Sequence, residues 1–412
     1  MQRRAALLAG AGAWLARLPA RAAAAGFDAA RLQRLSDFLD ADTAPGGHLG
    51  AVVLLARDGR VLHWRAHGQR DLARREAMPR DAIFRIYSMS KPIASVAALL
   101  LMEEGRLTLD DPVARHLPEF AALPLRTPGR APTLRHLLTH TAGFAVDPAD
   151  AAFAELERAA PQAAADLAGF AKAVAAVPLA ADPGTRFRYD GVHTEVLCRV
   201  VEVVAGQPFG RFLQQRLFDP LGMADTGFEV PAAQRRRIAD LSATRVVGAG
   251  NRLELASEDR SAAAPGIRLR DYDSGAGGLY STAADYARFA QMLLDEGRIA
   301  HGGDGRRLLA RHSVALLRSD QLAHLAPVAG LGPGEGFGLG VSMLLDPARR
   351  GRLGSVGAYG WPGAATTTFT VDPQERLVAL LLMQHLPRAA AAHDLARPTA
   401  PFINLVYQAL EP

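Results

Sequence analysis

Strand-like runs stand at the two ends of this chain, and a long stretch between them reads as helix. Early on, residues 50–56 and 61–68 are apolar-rich runs separated by Arg57-Asp58-Gly59-Arg60. The Asp-Gly pair supplies the positive backbone angles of a tight hairpin turn. Sheet signals return only at residues 337–345, 364–371 and 376–383. Between these two sets, residues 133–139, 149–177, 194–205 and 209–217 look helical. Residues 27–39 and 402–410 read as helices at either end. The expected fold is therefore α+β, with early and late strands joined in one antiparallel sheet flanked by helices. Residues 27–125 and 275–412 build that lobe, and residues 126–274 form an inserted, mainly helical lobe. A cleft between two lobes is a common place for an active site.

Residues 1–26 carry a separate message. Arg3-Arg4 precede an apolar run over residues 5–16 and then Ala22-Ala23-Ala24-Ala25-Gly26. Basic, apolar and small residues in that order form the pattern of a cleavable export signal, which predicts a periplasmic protein. The paired arginines suggest the twin-arginine route; the competing reading is an alanine-rich surface helix. The segment holds four arginines and no acid, so its removal takes the net charge from +5 to +1. A nearly neutral chain gives no electrostatic case for a nucleic-acid partner. No run approaches about 18 apolar residues, so stable membrane insertion is not expected. Cys198 is the only cysteine, which excludes an internal disulfide and a cysteine zinc cluster. It lies among Leu197, Val200, Val201 and Val204 at helical spacing, as a packed thiol would.

The chain contains two lysines, Lys91 and Lys172, and one of them stands three residues after Ser88. Ser88-Met89-Ser90-Lys91 opens a helix whose apolar face is Ile93, Val96, Ala97, Leu100 and Leu101, with Gly105 as its stop. Residues three apart share a helix face, so hydroxyl and amine can meet. A hydroxyl is a weak nucleophile until a neighbour takes its proton. A lysine does so only if its pKa falls well below about 10.4, and burial and the helix N-terminus push it that way. The same N-terminus offers the Ser88 N–H to a developing oxyanion. Spacing alone leaves an exposed first-turn lysine as an equal reading. No serine sits in a complete Gly-x-Ser-x-Gly elbow, which argues against an α/β-hydrolase. His136 and His140 are four apart, but no Glu stands between them as in His-Glu-x-x-His, so they are read as structural. Gly275-Ala-Gly-Gly278 is a close-approach turn without the lysine of a phosphate loop.

Ser88-x-x-Lys91 with its flanks resembles the class C β-lactamase and penicillin-binding-protein family of serine hydrolases, and within it the family VIII carboxylesterases. The likeness continues through Leu109-Asp110-Asp111-Pro112-Val113 and the stretch from Thr133 to Gly143. It also covers Pro220 to Thr226 and Gly277 to Ala283. The family's β-lactamase/transpeptidase-like fold, an antiparallel sheet with a helical lobe, matches the organisation above. In Tyr189-Asp190-Gly191 the resemblance implies that Tyr189 shares proton transfer with Lys91. The family has Asn where Gly191 stands, so one amide contact to substrate is lost.

The family's Lys-Thr-Gly also departs. Trp361-Pro362-Gly363 resembles the Trp-Gly-Gly of many family VIII esterases, and no lysine follows Lys172. The cation that would partner a β-lactam or D-alanyl carboxylate is gone, and an indole wall replaces it. By resemblance the Ala364 N–H is the second oxyanion donor beside Ser88, and Trp361, Gly363, Asp190 and Gly191 contact substrate. The expected activity is a carboxylesterase acting on small-molecule esters through an acyl-Ser88 intermediate, with no metal or organic cofactor. A β-lactamase, a D-amino-acid peptidase, an amidase or an acyltransferase would use the same machinery. A non-catalytic cell-wall-binding protein is the reading from another class.

Overall fold

The computed structural model describes residues 26–411 apart from 157, 159–164, 248–249, 257–258, 300–304 and 389–393. The export signal expected in residues 1–26 lies outside them but for its last residue. No described helix is long and apolar enough to cross a membrane.

Seven strands form one antiparallel sheet: β1 (Gly50–Arg57), β2 (Arg60–Gly68), β3 (Glu335–Phe337), β4 (Ser342–Leu344), β5 (Tyr359–Gly363), β6 (Thr367–Asp372) and β7 (Leu377–Met383). Their spatial order is β2-β1-β7-β6-β5-β4-β3, which joins the N-terminal hairpin to the C-terminal strands as the sequence pattern predicts. The hairpin turns at Asp58 and Gly59, both at positive φ.

Strands β1 and β7 read as nearly unbroken apolar runs because helices cover both faces of the sheet. Side chains alternate between faces along a strand. Ala51, Val53 and Leu55 with Ala379, Leu381 and Met383 pack against α1 (Ala29–Asp42) and the C-terminal helix Thr399–Tyr407. Val52, Leu54 and Ala56 with Val378, Leu380 and Leu382 join the main core. That core includes α2 (Ser90–Glu103) and the helix Ala283–Leu294. Gly105, at φ 69°, ends α2 where the sequence places the stop. The helix Val192–Ala205 presents Val196, Leu197, Val200 and Val201 to the same core, with Cys198 fully buried beside them.

Three features differ from the sequence reading. The helix expected over residues 149–177 is well formed only at Leu167–Ala175 among the described residues. The middle segment is not purely helical: Ser242–Val247 and Gly250–Leu255 form a hairpin, and its first strand pairs with His385–Leu386. That hairpin ties part of residues 126–274 to His385–Leu386, just beyond the end of β7. The third difference is β5, which the sequence reading stops short of, with Pro362 inside it.

Candidate active site

Ser88 lies on a single 3₁₀ turn, Tyr87–Met89, which feeds into α2, rather than on the α-helix itself. Tyr87 holds a left-handed backbone at φ 43°, a conformation that costs a non-glycine residue about 1–3 kcal/mol. Surrounding contacts enforce it. The Tyr87 phenol donates to the Asp259 carboxylate. The Ile86 N–H bonds the Leu279 carbonyl at 3.0 Å, and the Thr367 hydroxyl reaches the Ile86 carbonyl at 3.4 Å. A Cβ on Gly363 would collide with that same carbonyl, so glycine is required where β5 passes the nucleophile turn.

Lys91 is buried in the first turn of α2. Its Nζ lies 3.1 Å from Ser88 Oγ and donates to the Ala276 carbonyl at 2.7 Å. The exposed-lysine alternative is therefore removed. The same nitrogen sits 4.8 Å from the centre of the Tyr189 ring. Tyr189 and Lys91 thus meet as ring face and amine, while the Tyr189 hydroxyl accepts the Trp361 indole N–H at 2.8 Å. Trp361 comes from β5 and packs against Tyr189 with ring centroids 4.8 Å apart and the planes tilted by 55°. Sequence reasoning placed all four residues at the site, and the structure brings Ser88, Lys91, Tyr189 and Trp361 together. The N–H groups of Ser88 and Ala364 have no hydrogen-bond partner among the described residues, as an oxyanion site requires.

Asp190 lines the cavity beside Lys91, and its carboxylate is engaged by His193. Its Oδ1 accepts the His193 N–H at 3.2 Å and its Oδ2 contacts His193 Nδ1 at 2.5 Å, which caps the start of the helix Val192–Ala205. Burial alone would raise this carboxyl, but the His193 ring and its donors outweigh burial and hold it below the usual range. Gly191 also lines the cavity beside Lys91. A Cβ there would meet only Ala276 Cβ, at 3.4 Å, so open space marks the family's missing asparagine.

Ligand atoms of His140, Asp190 and His193 lie within 4.8 Å of one another, a possible metal set that sequence spacing did not suggest. Two of the three already bond each other. His193 Nδ1 is held by Asp190, and its Nε2 accepts the Ala142 N–H at 3.2 Å. His140 packs its ring 4.9 Å from Tyr189, and burial pushes its pKa well below the ordinary value. His136 accepts the Thr133 N–H through Nδ1 at 3.1 Å, the structural role expected of it. The residues sequence reasoning missed are Glu195, Ser274 and Ala276, which gather behind Lys91. Only the glycine-rich run at 275–278 hinted at them.

A cavity of about 550 Å³ opens beside Lys91, with an apolar wall that includes Phe153, Leu156, Phe170, Leu269 and Tyr272. A larger hollow, about 840 Å³, runs along the hairpin near Arg74, Arg245 and Arg252, far from the nucleophile in composition and place.

The beta-lactamase family model matches residues 35–400. Among curated proteins the chain is 35% identical to Protein Rv1367c of Mycobacterium tuberculosis, covering 82% of this chain and 86% of that protein. It is 32% identical to Esterase EstB of Burkholderia gladioli, covering 81% and 85%. Among solved structures it resembles EstCE1, a hydrolase with promiscuous acyltransferase activity, at TM-score 0.74 and 27% identity, covering 92% of this chain and 99% of that one. The family model spans most of the chain, which belongs to the beta-lactamase family.

Proposed function

We propose that this protein is a serine carboxylesterase of the family VIII type. The observation that carries the reading is the 3.1 Å contact of buried Lys91 Nζ with Ser88 Oγ, in a site where an indole occupies the third motif. Ser88 Oγ attacks the ester carbonyl carbon, and its proton passes to the Lys91–Tyr189 pair. The Ser88 and Ala364 N–H groups take the negative charge of the tetrahedral oxygen. The intermediate collapses, the alcohol leaves with the proton, and an acyl-Ser88 ester remains. Water then repeats the sequence and releases the acid.

Neutral esters suit this site better than β-lactams. Trp361 supplies an apolar wall and one N–H where a lysine would partner a carboxylate. The cavity beside Lys91 adds apolar surface from Phe153, Leu156, Phe170 and Leu269, with Arg260 and Arg270 also on its wall. The esterase among the relatives and the hydrolase among the solved structures support the same choice. Relatives named as a penicillin-binding protein and a carboxypeptidase support the competing bond. Rates on p-nitrophenyl butyrate, nitrocefin and a D-alanyl peptide decide between them. The ester is expected to exceed the other two by at least about 10²-fold in kcat/KM. A nitrocefin rate equal to the ester rate would reject the carboxylesterase reading.

The indole N–H has a separate expected effect. Trp361→Phe keeps the wall but removes the hydrogen bond to Tyr189, worth about 1 kcal/mol. The expected result is about a fivefold to tenfold drop in kcat with KM little changed. An unaltered kcat would limit Trp361 to shaping the wall.

A further inference from the structure

Behind Lys91 lies a second layer that the reaction scheme leaves unused. Lys91 Nζ is held on its far side by the Ala276 carbonyl at 2.7 Å, and Ala276 belongs to the glycine-rich turn at 274–278. That turn folds on itself, with the Gly278 N–H bonded to the Ser274 carbonyl at 2.8 Å. It also presses on one face of the helix Val192–Ala205. A Cβ on Gly275 would collide with the Cys198 sulfur, three residues along the helix from Glu195. From that face Glu195 accepts the Ser274 hydroxyl proton through Oε1. Glu195 is 4% exposed, and its other oxygen has no hydrogen-bond partner among the described residues. A carboxylate is rarely buried so deeply without a charge to answer.

We propose that Glu195 is a positioning residue for Lys91. Through Ser274 it fixes the turn whose carbonyl holds the lysine beside Ser88, and it is the buried carboxyl behind that lysine. The inference rests on the reading of Ser88 and Lys91 as nucleophile and proton acceptor. Burial raises the Glu195 carboxyl to about 7, with Ser274, Lys91, Arg270 and the Ala276 N–H opposing the rise. Tyr272 and Cys198 also face it. Lys91 itself is faced by Ser88, Tyr189, His140, Cys198 and Glu195.

Glu195→Gln keeps an oxygen for Ser274 and removes only the charge. Loss of a buried carboxyl that can carry negative charge disfavours protonation of the groups it faces, so the limb of the rate profile that depends on them moves to lower pH. The expected shift in the kcat/KM profile for p-nitrophenyl butyrate is about one pH unit, as for a charge a few ångströms away in a partly screened interior. With it comes about a tenfold loss of kcat, and KM stays within about twofold. Glu195→Asp is expected to restore the profile, though not the full rate. A role in packing alone would lower thermal stability and leave the profile unmoved, and that outcome overturns the proposal. So does a wild-type kcat. If Glu195→Gln does not fold, Ser274→Ala decides: about a fivefold loss of kcat with an unmoved profile is expected, and a wild-type kcat rejects the strap. Ser88→Ala is measured alongside. If it stays active, the nucleophile assignment fails; if it is inactive while Glu195→Gln behaves as wild type, only this inference fails.

Discussion

Ser88→Ala is expected to lower kcat/KM for short p-nitrophenyl esters by at least about 10⁴-fold and to abolish labelling by a fluorophosphonate probe. The size of the loss follows from the site. The described residues offer no second hydroxyl with a lysine in reach: Ser90 Oγ, the nearest in sequence, accepts the Leu279 N–H at 3.3 Å and is fully buried. The fold should barely notice. Ser88 is half-buried, and its hydroxyl touches Lys91, which keeps its bond to the Ala276 carbonyl in the variant. Stability is expected to change by less than about 1 kcal/mol, so thermal unfolding separates a dead site from a broken fold. Retained ester hydrolysis in a folded Ser88→Ala protein would end the acyl-serine mechanism.

What the sequence made legible follows the range of each interaction. Ser88 and Lys91 are three residues apart, so one helical turn suffices to pair them on paper. Ala276 is 185 residues from Lys91, and Trp361 is 172 from Tyr189. Such contacts exist only once the sheet has closed, and no local pattern announces them. The hairpin at 50–68 and strand β7 were readable because short apolar runs and an Asp-Gly turn are local signals. Strand β5 was not, since Tyr359-Gly-Trp-Pro-Gly363 carries two glycines and a proline, which usually demote a strand. The ladder explains the exception. Strand β4 pairs only with Tyr359 and Gly360, so residues 361–363 present a bare edge on that side, where Pro362 costs no bond. The same bare edge exposes the end of β5 to the cleft, so the feature that hid the strand also opens the site. Glu195 was hidden differently. A lone acid among Val192, Val196 and Leu197 reads as a solvated helix position, and only the packed turn at 274–278 gives it a partner.

Lys91→Met is the other change expected to be large, with kcat for the same esters falling about 10³-fold while KM changes little. Methionine keeps most of the stem and removes the amine, so the Ser88 proton loses its nearest acceptor and the Tyr189 ring the nitrogen over its face. Two effects on stability oppose each other. The Ala276 carbonyl is left without its partner, at a cost of about 1–3 kcal/mol. Against that, a buried ionisable amine disappears, which is often neutral or favourable when an apolar side chain of similar volume takes its place. The folded fraction should therefore stay close to wild type, and the lost rate can be assigned to chemistry. Lys91→Arg separates the two duties of the amine. A guanidinium keeps the positive charge but cannot give up its proton in a protein. If proton acceptance by Lys91 is the reason for its position, Lys91→Arg stays within about tenfold of Lys91→Met, and added small amines restore part of the rate to Lys91→Met alone. Recovery of most of the activity by arginine would instead make Lys91 a fixed cation, leaving Tyr189 as the group that takes the proton from Ser88.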